Sequence, residues 1–241
     1  MIKYLTLKLL NYFDLYYQLK LFSFLKKKNY KNFDIFFDVG AHFGESINLF
    51  FKNFNINKIY SFEASPLNFK TLLKNKNSIQ SRFKELEIHL ENEAIGNEKK
   101  KLMMKQLIES SSSTIKRINQ NSKYFKKKVF FLNFTGKKNL IENIEINQIK
   151  LRDYMIEKEI PKIDFLKIDT EGYEYNVLLG LGEYLQKTSL IMFEHHYDDM
   201  IIKDYSFGDM SELLKKNNFK QIYKYKMPFR KTFEYVYKRI D

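Results

Sequence analysis

The chain has 241 residues, of which 44% are hydrophobic and 17% aromatic, and it carries a net charge of +13. This much apolar surface offsets the conformational entropy lost on folding, which excludes a disordered chain. Cysteine is absent, so disulfide frameworks, thiolate zinc sites and cysteine nucleophiles are excluded too. The charge suggests an anionic partner, but only five of the 42 cationic residues are arginine, the side chain that recognises guanine and phosphate in a bidentate manner. Nucleic acid is therefore not the partner that we expect.

The first 30 residues are predicted to form a helical extension to a main domain over residues 31–241. Apolar residues recur at helical spacing from Leu5 to Leu19, and a run of lysines follows at 26–28. No window reaches about 18 uncharged apolar residues, and no small-residue cleavage site is present, so we expect a cytoplasmic protein. Two interpretations of the helix stay open: it packs on the main domain, or it rests as a peripheral contact on the inner face of an anionic membrane.

The main domain opens with alternating strands and helices. The pattern predicts strands over 33–39, 58–62 and 86–90. A helix over 45–53 separates the first two strands, and a helix from Pro66 to Lys74, capped by Ser65, separates the second and third. This alternation predicts a doubly wound, parallel α/β sheet.

Residues 97–160 interrupt the alternation and are interpreted as an insertion or a lid. They contain lysine runs, a serine cluster at 110–113 and strand-like pieces at 101–108 and 129–134. The Asn133-Phe134-Thr135 string matches a glycosylation acceptor, which we interpret as a chance match.

The alternation resumes after the insertion and completes a seven-stranded, mostly parallel sheet. Strands are predicted over 163–168 and 189–193, with helices over 173–184 and 210–216. Two tyrosine-rich strands follow and are predicted to form a C-terminal antiparallel hairpin, over 220–226 and 232–238.

The first two strand ends carry a pattern typical of an adenosine-containing cofactor. Asp38 lies at the end of the first strand, and Gly40 and Gly44 follow it, where glycine permits a tight turn and a close helix start. Glu63 follows the second strand, the position from which an acid binds a ribose diol. By the same geometry, Glu93 and Ala94 after the third strand are candidate adenine contacts.

The glycine spacing favours S-adenosylmethionine over a dinucleotide. A dinucleotide site requires G-x-G-x-x-G, whereas the string here is D-x-G-x-x-x-G. S-adenosylmethionine has no phosphates, and its positive groups favour acidic neighbours. An NAD-dependent sugar-modifying enzyme and a non-catalytic polybasic membrane adaptor stay open as alternatives.

Seven strings along the chain carry a resemblance to a known family. They are FFDVGAHFGE (36–45), YSFEASP (60–66), NEAIGN (92–97), the serine cluster, IKLRDYM (149–155), IDFLKIDTEGYEYNVLLG (163–180) and LIMFEHH (190–196). Over about residues 33 to 195 the sequence resembles the FkbM family of methyltransferases. The resemblance implies a class I, Rossmann-like fold and methyl transfer from S-adenosylmethionine to oxygen, usually a hydroxyl of a sugar or other small molecule. Leu151-Arg152-Asp153 departs from the family's leucine-aspartate-aspartate run.

Candidate catalytic residues follow two strands in the second half of the chain. Asp169 and Glu171 follow the strand that ends at Ile168, and Glu194, His195 and His196 follow the next. His195 and Asp169 are the candidate bases, and His195 is preferred because an imidazole near its ordinary pKa accepts a proton at neutral pH, whereas a carboxylate is a weak base. A divalent metal held by Asp169, Glu171 and Glu194 is the alternative, although no metal ligand is assigned. Nucleic-acid methylation is disfavoured by isolated prolines at 66, 161 and 228 and by the lack of cysteine.

Overall fold

A seven-stranded sheet and its loops position most of the candidate site residues. The computed structural model describes residues 2–107, 113–133, 141–228 and 230–240. The helices are α1 (Ile2–Lys27), α2 (Glu45–Phe51), α3 (Pro66–Arg82), α4 (Lys123–Asn133), α5 (Leu151–Glu157), α6 (Glu174–Leu181) and α7 (Phe207–Lys216). The strands are β1 (Asn32–Val39), β2 (Asn55–Phe62), β3 (Glu87–Glu91), β4 (Ala94–Ile95), β5 (Lys100–Leu107), β6 (Arg117–Ile118), β7 (Ile141–Ile149), β8 (Ile163–Ile168), β9 (Thr188–His196), β10 (Ile201–Ile202), β11 (Phe219–Lys226) and β12 (Thr232–Arg239). A 3₁₀ helix follows α6 over Gly182–Lys187.

The main sheet has the predicted mostly parallel order with an antiparallel C-terminal hairpin. Its strands run β11-β12-β9-β8-β1-β2-β3. Strands β3, β2, β1, β8 and β9 are parallel, and β12 is antiparallel to both β9 and β11. The carboxyl ends of the parallel strands therefore meet at one edge, which is where ligands bind in open α/β sheets.

Two hydrophobic layers cover the sheet because its strands alternate apolar residues between faces. On one face, β-strand residues such as Phe36 and Phe165 pack with α1, α2 and α3. On the other face, residues such as Phe37 and Phe193 pack with α5, α6 and α7. Successive side chains of a strand point to opposite faces of the sheet, so neighbouring residues at the carboxyl end of a strand belong to different layers.

Helix α3 begins where the sequence predicts and ends later. The Ser65 hydroxyl accepts a hydrogen bond from the Asn68 backbone N–H at 3.2 Å, which confirms the predicted N-cap. The helix continues to Arg82 rather than Lys74, since Ile79 is buried in the core below its last turns. Strand β9 is also longer than predicted and ends at His196, because Glu194, His195 and His196 pair with β12.

The region 97–160 contributes β5 and β7 to a second, three-stranded sheet, and β5 agrees with the strand-like piece predicted at 101–108. Strand β7 pairs with β5 in antiparallel and with β4 in parallel fashion. The strand-like interpretation of residues 129–134 is wrong for the part that is described, since residues up to Asn133 belong to α4, where Phe125 and Val129 contribute to a small hydrophobic cluster. Residues 110–112 of the serine cluster, and Phe134 and Thr135 of the glycosylation string, lie outside the described residues.

Helix α1 packs on the main sheet through its second half. Leu21, Phe22 and Leu25 are at most 1% exposed and belong to the same core as β1. The Phe22 ring lies 4.9 Å from that of Phe50, and Tyr17 stacks on Tyr225 at 5.5 Å. The packing interpretation of this helix is confirmed for these turns. Within the described part of the chain, no helix combines the length and apolarity that spanning a bilayer requires.

The burial of Phe22 predicts a large loss of stability on truncation. Phe22→Ala removes a ring enclosed by Phe50 and Phe54, so we expect the free energy of unfolding to fall by about 3 to 5 kcal/mol. Leu19→Ala, on the exposed side of the same helix, is the control and should change it by less than about 0.5 kcal/mol. Urea denaturation followed by circular dichroism measures both, and equal midpoints for the two variants would contradict the packing of α1.

Candidate functional site

A pocket opens at the carboxyl ends of β1, β2 and β8, and it brings six of the nine predicted site residues together. Its lining includes Gly40, Glu63, Glu93, Ala94, Asp169 and Glu171. Ser113 and Tyr173, which the sequence reasoning did not assign, also line it. Asp38, Gly44 and His195 are not among the lining residues.

Gly40 permits the close approach of two strand ends. Its φ is +87°, and a Cβ at this position would lie 1.8 Å from the backbone oxygen of Asp169. The Asp169 N–H donates to the Val39 carbonyl at 2.9 Å, which ties the loop after β8 to the end of β1. Glycine is therefore required by the neighbouring backbone as well as by the turn. Gly44, with φ +90°, lets α2 begin against α3, since a Cβ there would lie 2.9 Å from Leu72 Cδ1.

The carboxylate of Glu63 fixes two loops at the pocket. Its Oε2 accepts from the His42 N–H at 2.8 Å, and its Oε1 accepts from the Ser65 N–H at 2.9 Å. Burial raises the pKa of Glu63, and these backbone hydrogen bonds oppose that rise. The side chain is 7% exposed, so it is held at the pocket wall in one position.

Glu93 offers a hydrogen-bond acceptor on the opposite wall. Its Oε2 is buried and has no hydrogen-bond partner among the described residues. Burial raises the pKa of this carboxyl, and the Glu91 carboxylate nearby raises it further. A buried acceptor without a partner is costly, so a donor from a bound ligand would relieve it.

A buried ion pair lies behind the pocket. Lys167 Nζ is 3.2 Å from Asp38 Oδ1 and 3.4 Å from Asp169 Oδ2, and Asp38 is fully buried. Burial alone would lower the pKa of Lys167, but the carboxylates of Asp38 and Asp169 outweigh it, so the lysine stays charged. Burial raises the pKa of Asp38 and Lys167 opposes that rise. Asp38 Oδ2 has no hydrogen-bond partner in the described structure.

Glu174 shapes the loop that carries Asp169 and Glu171. Its Oε1 accepts from the Gly172 N–H at 2.9 Å and from the Thr170 N–H at 3.3 Å. Its Oε2 accepts a short hydrogen bond from the Tyr205 hydroxyl. Because this carboxylate satisfies the loop's backbone donors, Glu171 is held with a φ of +50° beside the pocket.

Glu171 leads from the pocket to a cluster formed with Glu194 and His196. His196 Nε2 lies 3.2 Å from Glu171 Oε2 and 3.4 Å from Glu194 Oε1. Burial alone would lower the pKa of His196, but Glu171 and Asp198 outweigh it and raise that pKa well above its usual value. Burial and the Asp169 charge raise the pKa of Glu194 well above the carboxylate range.

Glu234 joins this cluster from β12. It pairs with Glu194 in the antiparallel register and is 5% exposed. Burial raises its pKa to about 7. Sequence reasoning missed this residue, because it lies 40 positions beyond Glu194 and only the hairpin register brings the two together.

His195 lies on the other face of the sheet. Its ring packs at 4.7 Å from Tyr197, 5.6 Å from Phe207 and 6.0 Å from Tyr205, and it is 3% exposed. Burial lowers its pKa to about 3. Successive side chains of a strand point to opposite faces, so His196 shares the face of Glu194 and His195 cannot. That alternation was the signal in the sequence for choosing between the two histidines.

These residues fit S-adenosylmethionine. Glu93 Oε2, a pocket acceptor without a hydrogen-bond partner among the described residues, suits a ligand that carries amino donors, and Glu63 keeps lone pairs for ribose hydroxyls. Among the described residues, no group of three or more histidine, aspartate or glutamate side chains is arranged to hold a metal ion. The metal alternative thus gains no geometric support.

Two solved structures share the fold. A methyltransferase FkbM from Methylobacillus flagellatus KT matches with a TM-score of 0.51 and 15% identity, covering 85% of this chain and 43% of that one. Magnesium protoporphyrin IX methyltransferase from Synechocystis PCC 6803 matches with a TM-score of 0.52 and 6% identity, covering 95% and 81%. This chain therefore spans less than half the length of the Methylobacillus protein. No curated protein matches the sequence.

The family match rests on the sequence and covers the site. Residues 38–221 match the family described as the methyltransferase FkbM domain, which includes every predicted site residue. The match favours methyl transfer over the NAD-dependent and the non-catalytic alternatives, in agreement with the glycine spacing after β1. With the seven-stranded sheet and the pocket at its carboxyl edge, it establishes that this chain belongs to the FkbM family of S-adenosylmethionine-dependent methyltransferases.

Proposed function

We propose that this methyltransferase transfers a methyl group to a hydroxyl of a sugar, a glycan or a related small molecule. The observation that carries the proposal is the cluster of Glu171, Glu194 and His196 beside the pocket. Carboxylates and an imidazole can bind sugar hydroxyls and remove a hydroxyl proton. The test is the release of S-adenosylhomocysteine with a panel of sugars, glycans and sugar nucleotides.

The pocket supplies the cofactor site in this proposal. Glu63 binds the ribose hydroxyls, Glu93 and Ala94 contact the adenine, and Gly40 lets the β1 turn approach the ligand. Asp38 supplies negative charge behind the turn. S-adenosylmethionine, when bound, provides a methyl group already activated by the sulfonium. Consistent with this assignment, the Synechocystis enzyme was solved with bound SAM.

His196 replaces His195 as the proposed base. His196 lies directly behind Glu171, which lines the pocket, and contacts its carboxylate at 3.2 Å, whereas His195 is enclosed by aromatic rings on the other face. We place the accepted proton on Nε2 of His196, where the Glu171 carboxylate at 3.2 Å stabilises the imidazolium. Asp169 and Glu171 orient the acceptor hydroxyl at the pocket mouth.

Glu63→Ala should weaken S-adenosylmethionine binding by about 1.5 to 3 kcal/mol, roughly 10- to 150-fold, because the variant loses hydrogen bonds to a charged group. Isothermal titration calorimetry measures the affinity. Glu87→Ala, which removes an exposed glutamate on β3 away from the pocket, is the matched control and should bind as the wild type does. A folded Glu63→Ala variant with unchanged affinity would remove Glu63 from the cofactor site.

His196→Gln should lower turnover by roughly 10²- to 10⁴-fold with nearly unchanged cofactor affinity, because it removes the base and not the cofactor pocket. His195→Gln is the control and should keep turnover within about threefold. Turnover is measured with whichever acceptor of the panel the wild type methylates. If His195→Gln lowers turnover and His196→Gln does not, the role of base returns to His195. If the His196→Gln variant is fully active, and its activity is lost with EDTA and restored by Mg²⁺, the result favours the metal alternative.

The pH dependence separates the two histidines independently. His196 has a raised pKa, so it is protonated at neutral pH and becomes a base only as the pH rises; kcat/KM should therefore increase on the alkaline side of the usual histidine pKa of about 6.5. His195, with a pKa of about 3, would already be deprotonated and would give no inflection between pH 5 and 8. A flat wild-type profile over that range would contradict the assignment to His196.

A further inference from the structure

We propose that the outer face of α1 docks on a bilayer of anionic phospholipid. We define this outer face as Leu15, Tyr16, Leu19, Lys20 and Lys27, all of them exposed. Leu15 is 43% exposed, Tyr16 45% and Leu19 44%, although the opposite side of the helix is already packed into the core. A helix that is apolar on both sides requires a second apolar environment, which water does not provide.

The charge of this region selects an anionic partner. Residues 1–33 contain seven lysines and one acidic residue, Asp14. Arg230 Nη2 donates to Asp14 Oδ2 at 2.9 Å, so that carboxylate is already engaged. The outer face itself therefore presents lysines and apolar side chains with no acid among its members. This combination is typical of helices that lie in the interface of an anionic membrane.

A groove next to the outer face suits phospholipid headgroups. Leu19 and Phe22 supply apolar surface to the groove, and Lys26, Lys27 and Lys31 supply the charge. Lys26 Nζ also donates to Asn53 Oδ1 at 3.0 Å, which keeps this ammonium beside the groove. Lysine binds phosphate as a point charge, without the bidentate geometry that arginine brings to nucleic acids.

The outer face has the dimensions of an interfacial contact. Leu15 and Lys27 are 12 residues apart, or about 18 Å along the helix axis. The leucines and Tyr16 lie toward one end, where they can enter the acyl boundary, and the lysines extend to the other. A second copy of the chain would present the same cations to this surface and would be repelled, so the bilayer is the occupant that the charges favour.

Docking of α1 would also bring the part of the site that binds the methyl acceptor near the lipid surface. This consequence rests on the proposed function. Asp14, directly before Leu15, is bound by Arg230 of the β11–β12 connection. Arg230 interacts electrostatically with Glu194 and Glu171. The outer face thus begins beside the elements that carry the proposed base, so an acceptor attached to a lipid would meet the site at the membrane surface.

The test is flotation of the full chain with vesicles of phosphatidylcholine, with and without about one-third phosphatidylglycerol, at low salt and without cofactor. We expect binding only to the anionic vesicles. We expect vesicle binding to weaken by more than roughly tenfold in Lys20→Glu/Lys27→Glu, since each lysine at an anionic surface contributes about a factor of five. We expect a loss of the same size in Leu15→Ser/Leu19→Ser, because this variant removes the apolar side chains that enter the acyl boundary. Truncation of α1 is unsuitable, because Leu21, Phe22 and Leu25 belong to the core.

Matched controls lie on α3, where Lys70, Lys74, Leu67 and Leu73 are also exposed. Lys70→Glu/Lys74→Glu and Leu67→Ser/Leu73→Ser should bind vesicles as the wild type does. The proposal is overturned if the wild type ignores anionic vesicles, if the α3 variants lose binding equally, or if Leu15→Ser/Leu19→Ser instead abolishes a dimer seen by sedimentation. Calorimetry with S-adenosylmethionine is run in parallel. It tests the cofactor assignment alone, whereas flotation tests docking alone, so the failure of one proposal is distinguished from the failure of the other.

Discussion

Lys167 is enclosed between two strands, and the arrangement of the site depends on how its charge is balanced. The ammonium contacts Asp38 on β1 and Asp169 after β8, and both Lys167 and Asp38 are buried from solvent. A buried cation that loses one of its carboxylates is left uncompensated, which typically costs about 3 to 5 kcal/mol. The pair therefore holds the ends of β1 and β8 together where Gly40 meets the Asp169 carbonyl. One ionic contact thus supports both the turn after β1 and the loop after β8, which line the pocket.

Carboxylates fix the loops around this ion pair by accepting backbone hydrogen bonds. Glu63 holds the β1–α2 and β2–α3 loops, and Glu174 holds the loop after β8. A carboxylate that accepts two backbone N–H groups gives strong hydrogen bonds and a defined geometry. The pocket is thereby preorganised, which is a condition for positioning a methyl donor and an acceptor in line.

The positive charge of the chain describes its outer surface and not its pocket. Four carboxylates line the pocket, those of Glu63, Glu93, Asp169 and Glu171. An acidic lining is suited to a cationic cofactor and to hydroxyl groups, and it would repel a phosphate backbone. The lysines at the end of α1 line a different groove, so their charge is separate from the carboxylate lining of the pocket. This separation explains why the net charge alone was a poor guide to the reaction.

The sequence by itself determined the order of strands and helices that build the main sheet, and the turns after its first two strands, because these follow from local periodicity and residue chemistry. Strand β8 has the predicted bounds, and the Ser65 cap forms as expected, since both depend on neighbours in the chain.

Only the tertiary structure decided that residues up to Asn133 continue a helix, because a short apolar run fits either structure until its packing partners are known. It also decided that β9 extends along β12 through His195 and His196, which is the condition under which the alternation in the sequence separates the two histidines onto opposite faces. The same holds for Glu234 and Arg230, whose roles arise from contacts with residues distant in sequence, such as Asp14, which Arg230 reaches across 216 positions. Such contacts are set by the packing of whole elements, and no local pattern specifies them.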